Sequence, residues 1–234
     1  MSLLLLGVGQ PQNSTGASTF KITVMQTSNS AVIYENDNID TVMTYLNSYT
    51  ASVPITVQFN DNTIHQPASG SISITTGLNN GTNVVTFKSK VGFTATIDGQ
   101  LLGNTVVTIN NSYITWDGIN VINAITGDSD TGGTIIRLEA NRTNLTVKNC
   151  LIKRGYVGIR GTTKITNITI ENIVFQEINY GCIRIGGGAF SPAGKWENFD
   201  ARISADYDLY NVIIKNITAL DTLAGGNVPG ATTG

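Results

Sequence analysis

The sequence predicts an all-β chain wound as a solenoid, entered through a strand pair and a capping helix. Three observations carry this. A nine-residue phrase recurs four times, as YITWDGINV at 113–121, NLTVKNCLI at 144–152, NITIENIVF at 167–175 and NVIIKNITA at 211–219. The copies start at 113, 144, 167 and 211, so a basic step of 23 is lengthened to 31 and 44 by insertions, a spacing typical of stacked repeats. Within each copy apolar residues alternate on either side of a two-residue polar break, the period of a strand with one buried face. Stacking the copies gives four inward columns: Ile114, Leu145, Ile168, Val212; Trp116, Val147, Ile170, Ile214; Ile119, Cys150, Ile173, Ile217; and Val121, Ile152, Phe175, Ala219.

An independent set of strands supports the same period. TVVTIN (105–110), TIIRLE (134–139), VGIRG (157–161) and GCIRIG (181–186) align with Val107, Ile136, Ile159 and Ile183 pointing in and Thr108, Arg137, Arg160 and Arg184 pointing out. Each repeat therefore contributes at least two sheets in register.

At the break the copies read Gly118, Asn149, Asn172 and Asn216. Asn tolerates the left-handed backbone of a tight corner, and stacked Asn amides can hydrogen-bond along the axis. This pattern resembles the asparagine ladder of right-handed parallel β-helices, the pectate-lyase-like superfamily, over roughly residues 55–220. The resemblance implies a right-handed single-stranded parallel β-helix, and says little about chemistry.

Residues 1–19 open with MSLLLL and continue as a Gly-, Pro-, Asn- and Ser-rich stretch that predicts an extended arm. The apolar run is too short to span a membrane and has neither the basic flank nor the cleavage site of a signal peptide. It resembles the short apolar opening of many tailed-phage virion proteins; a fragment that has lost its leader would read the same way. Residues 20–54 hold two alternating strands, FKITVMQ and AVIYEN, and a helix starting at Asp37 or Asn38. Ile39, Val42, Met43 and Leu46 form its one apolar stripe, which suits a cap over the exposed core of a first rung. Residues 55–234 form the β-helix domain, with an insertion at 186–210 that matches no rung and carries Trp196, Phe199, Tyr207 and Tyr210. Its opening, GLNNGTNVVTFKSKVGFTATIDG, resembles the first rungs of secreted bacterial β-helix proteins, some of them alginate-lyase-like and some non-catalytic.

The chain of 234 residues is 41% hydrophobic but only 13% charged, with a net charge of −2. No global field recruits nucleic acid or an anionic membrane. Cys150 falls in an inward column and Cys182 in the slot shared with Ile135 and Gly158, which alternation makes outward, so both are read as free thiols.

Polysaccharide hydrolysis needs two carboxylates flanking the scissile bond, and lyase chemistry a base beside a cation. The outward columns offer neither, so no catalytic residue, metal ligand or cofactor is assigned. Asp117, Lys148, Glu171 and Lys215 alternate in sign as an axial salt-bridge ladder would. Asp128 and Asp130 lack the rest of a calcium loop, and His65, without a second ligand, predicts a surface or turn histidine. The unusual feature is Arg137, Arg160 and Arg184, like charges one rung apart that call for an anion between them. Two partners fit. One is the acidic insertion that follows Arg184, with Glu197, Asp200, Asp206 and Asp208. The other is an acidic polysaccharide, with Trp196 or Tyr207 as a stacking platform.

These features predict a non-enzymatic structural protein, a fibre, spike or decoration subunit of a phage virion, that contacts other virion or self subunits through its arm and end rung. The alternatives are a secreted bacterial glycan-binding or adhesive module and a polysaccharide lyase or hydrolase. All place it in a virion, outside the cell or on its surface.

Overall fold

The computed structural model describes residues 19–75, 78, 82–103, 105–124, 133–162, 164–185 and 210–220. These residues are mostly β, with one helix, and the strands join in one mixed sheet with long parallel stretches. The chain enters through β1 (Ile22–Gln26) and β2 (Val32–Asn36), an antiparallel pair, and α1 (Ile39–Ser48). Asn38 caps the helix, accepting the Thr41 N–H at 3.0 Å, a bond that satisfies one of the first-turn donors. The helix buries the predicted stripe of Ile39, Val42, Met43 and Leu46. Tyr45 stacks on Tyr34 with ring centroids 4.2 Å apart, and on Tyr49 at 5.6 Å, fixing helix to strand.

Strand β1 pairs antiparallel with β3 (Ile55–Phe59), and from β3 onward pairing is parallel. The first parallel series runs β3, β6 (Val85–Ser89), β9 (Ile114–Asp117), then the first parts of β12 (Thr143–Gly161), β13 (Thr166–Ile185) and β14 (Tyr210–Leu220). The second runs β4 (Ile64–His65), β7 (Thr96–Asp98), β10 (Asn120–Ile122) and on into β12, β13 and β14. The third runs β5 (Ile72–Ile74), β8 (Thr105–Ile109), β11 (Thr134–Leu138) and the last parts of β12 and β13.

The register matches the four predicted columns and extends them downward. Ile55 and Val85 lie under Ile114, Val57 and Phe87 under Trp116, and Ile97 under Val121. Trp116 is fully buried, stacks on Phe87 at 5.6 Å, and donates its indole N–H to the Ile119 carbonyl at 2.9 Å, so its polar edge is satisfied. Ile170 is fully buried, whereas Ile214, one level on, is only partly so. Strand β14 has β13 as its neighbour on one side among the described residues, which leaves its inward face partly uncovered.

The corners carry the left-handed residues. Gly118, Asn149, Asn172 and Asn216 all have positive φ, from 53° to 69°. Asn216 donates to Asn172 Oδ1 at 3.0 Å, Asn172 to Asn149 Oδ1 at 2.9 Å and Asn149 to Asp117 Oδ1 at 2.7 Å, so the ladder ends on a carboxylate. A second corner with the same backbone begins each phrase: Tyr113, Asn144, Asn167 and Asn211, φ 53° to 60°. Asn211 donates to Asn167 Oδ1 at 2.9 Å. Only the first of these ladders is foreseen in the repeat pattern.

One assignment of face is overturned. Cys182 is buried, not outward, and so is Ile135 in the same slot. Strand β11 buries Thr134, Ile135 and Ile136 in succession, and the matching region of β12 shifts register between Gly155 and Val157. Alternation fails there because the chain bends, so neighbouring residues both face the interior.

Candidate functional site

The arginine column is real as a register. Ser73, Thr108, Arg137, Arg160 and Arg184 occupy one position at five successive levels of the third series. All three arginines are half-buried. They sit on a strand whose flanking inward residues, Ile136 and Leu138 in β11, are fully buried, so each guanidinium is carried on a rigid backbone. The sequence pattern looked to the insertion for a counter-charge; Arg137 has one in Glu139. Its Nε lies 2.9 Å from Glu139 Oε1, with the N–H not aimed at that oxygen, and its Nη2 donates to Oε2 at 3.4 Å. Glu139 is two residues further on, just past the end of β11 at Leu138. Trp196 and Tyr207, with Glu197, Asp200, Asp206 and Asp208, lie outside the described residues, as do Asp128 and Asp130.

A second outward column runs Gln58, Lys88, Asp117, Lys148, Glu171 and Lys215. Lys148 Nζ is 3.5 Å from Asp117, and Lys215 Nζ 2.7 Å from Glu171. The predicted axial pairing is thus present at two steps, each worth a fraction of a kcal/mol at this exposure. Gln58, Lys88, Lys90, Phe93, Asp117 and Asn149 line an open groove beside it.

A third polar line was not foreseen. It follows the end of the second series through Gln66, Asp98, Asn123, Arg154 and Glu177. Asp98 is buried and accepts from Gln66 Nε2 at 3.0 Å, the Gln100 N–H at 2.8 Å and Asn123 Nδ2 at 2.8 Å. Burial alone would raise its pKa, but these donors, with Arg154 nearby, hold it below the ordinary carboxylate value. Glu177 is lowered too, by Lys153 at 3.0 Å and Arg154 at 2.9 Å. Asn123, Arg154 and Glu177 all have φ between 54° and 61°, so this is a corner in which a ladder of mixed residue types replaces asparagine. Asn123 alone carries a sequence signal for such a backbone.

Three isolated groups complete the inventory. His65, predicted as a surface or turn residue, is 3% exposed and occupies the lowest position of the column continued by Ile97, Val121, Ile152 and Phe175. Cys150 and Cys182 are buried free thiols, as expected in their chemistry if not in the face of Cys182. Burial raises both, Cys182 to about 12, which leaves neither as a thiolate near neutral pH.

Among the described residues no group of three or more His, Cys, Asp or Glu is placed to hold a metal ion, and no helix is long and apolar enough to cross a membrane. What the arrangement offers is repetition: side chains of one kind recur at one position, level after level, with anchored cations on one face. No protein-family model, curated protein or solved structure matches the chain.

Proposed function

We propose that the three parallel series wind as a right-handed single-stranded parallel β-helix, capped by the N-terminal strands and helix, and that the chain is a non-enzymatic structural protein. Parallel strands linked by crossovers are right-handed in nearly every case, which supports the hand. The virion of a phage, as a fibre, spike or decoration subunit, is the setting we favour, with assembly or surface attachment as the role. The observation that carries the reading is the register that stacks Thr86, Thr115, Thr146 and Thr169, one per level beside the charge-paired column, with the buried Thr56 before them and the exposed Ile213 after. A face made of one repeated side chain suits an extended, rigid surface, whereas catalysis concentrates unlike groups at one point. Removing residues 1–19 tests the reading: self-association is expected to weaken while the unfolding transition stays in place. Unchanged association after the deletion would count against assembly through the arm.

A second reading is favoured by the register of Arg137, Arg160 and Arg184. Three guanidinium groups one strand spacing apart, about 4.8 Å, suit an acidic polysaccharide lying along the stack. On this reading the protein is a glycan-binding or adhesive module, outside the cell or on its surface. Arg160→Ala then weakens binding to uronate-bearing polymers in a salt-dependent manner and leaves stability within about 0.5 kcal/mol.

A further inference from the structure

His65 is the one histidine of the chain, and it stands where the levels above place Ile97, Val121, Ile152 and Phe175. Its imidazole is 3% exposed and lies edge-on to Phe59 of β3, ring centroids 5.0 Å apart. Nε2 has no hydrogen-bond partner, and the nearest carboxylate oxygen, Asp61 Oδ1, is 3.7 Å away. Asp61 is already committed within its own turn. Oδ1 accepts the Thr63 N–H at 3.1 Å and Oδ2 the Thr63 hydroxyl at 2.5 Å, so swinging toward the ring would cost the turn its bonds.

The charged groups facing the imidazole are therefore Asp61, which attracts a proton, and Lys21, which repels one. Phe59 of β3 and Ile97 of β7 add only apolar surface. Burial outweighs Asp61, and the imidazole is held below its ordinary pKa. The same corner is the joint between the entry strands and the parallel series. Asn60, next to Phe59, donates its N–H to the Lys21 carbonyl at 2.8 Å, and its side chain donates to the Phe20 carbonyl at 2.9 Å and to Thr23 Oγ1 at 2.8 Å.

We propose that His65 is an acid-sensitive latch: neutral, it fills the base of the apolar column; protonated, it puts into that base a charge whose nearest carboxylate, Asp61, stands 3.7 Å away and is held in its own turn, and loosens β1, β3 and β4 while the later levels stay closed. A charge so placed must be hydrated or neutralised, and Ile64, its neighbour in β4, is already exposed to water. The latch is independent of what the protein does.

The single histidine makes the test clean. The intact chain, carrying labelled histidine, is followed by NMR from about pH 7.5 to about pH 5, the range in which an imidazole titrates. Amide exchange, corrected for its intrinsic pH dependence, is measured in parallel. Protection in β1, β3 and β4 is expected to be lost with the midpoint of the imidazole titration. Protection in β12 and β13 is expected to hold. His65→Leu should abolish the step. A titration with no exchange step, a step at a different midpoint, or a step that survives His65→Leu overturns the latch. If His65→Leu does not fold, the coincidence or separation of the two wild-type midpoints decides.

Discussion

Gly158 leaves space for the ring of Phe175. A Cβ built on Gly158 would fall 2.5 Å from Phe175 Cε1 and 2.5 Å from the Cys182 carbonyl oxygen, so the interior at this level is filled by one large residue reaching across from the opposite series. Gly158→Ala is therefore expected to destabilise by about 1–3 kcal/mol through overpacking. Denaturant unfolding measures it. Phe175→Leu in the same chain should restore only part of the loss, because the Cys182 carbonyl remains.

The stack is predicted to weaken toward its last described strand. Ile170→Ala, at a fully buried site, should cost about 2–5 kcal/mol. Ile214→Ala, at the partly covered next level of the same column, should cost about half as much, in proportion to the apolar area it buries. Equal costs would mean that Ile214 is as enclosed as Ile170. Ile170→Asp is expected to prevent folding altogether.

The asparagine ladder separates backbone strain from hydrogen bonding. Asn172 has φ 54°, donates to Asn149 and accepts from Asn216. Asn172→Ala loses both bonds and places a Cβ-bearing residue with no local side-chain bond in the left-handed region, for a total of about 2 kcal/mol. Asn172→Gly loses the bonds but not the backbone fit, so roughly half of that cost should return. Comparing the two unfolding midpoints gives each share.

Asp98 sets an acid limit. Its folded pKa is lowered, so its contribution to stability is present above the unfolded value, near 3.9, and disappears as pH falls through the folded one. The melting temperature should therefore drop on acidification below about pH 4, and Asp98→Asn should flatten that part of the curve. His65→Leu and Asp98→Asn, each titrated alone, assign the two effects.

Much of the pairing was legible in the sequence because the same offsets recur: once Ile114, Leu145, Ile168 and Val212 are aligned, the register of the first and second series follows. The asparagine corner at Asn149, Asn172 and Asn216 was legible for the same reason. The corner at Asn144, Asn167 and Asn211 was equally visible as the first letter of three copies, but a strand's first residue does not announce its φ. Cys182 was misplaced because strict alternation has no room for a bend with two consecutive inward residues, such as Ile135 and Ile136. His65 was misjudged because β4 is two residues long and set among Asp, Asn and Gln, too short to show a period. Glu139 was overlooked as the partner of Arg137 because opposite charges were sought between levels rather than two residues along the chain.

The reading of this chain as an assembling structural protein is tested most directly by its mass in solution. Sedimentation velocity of the full chain over a wide concentration range should show species heavier than the 24.9 kDa protomer, increasing with concentration. A single 24.9 kDa species throughout, with turnover of an acidic polysaccharide in the same preparation, would contradict it.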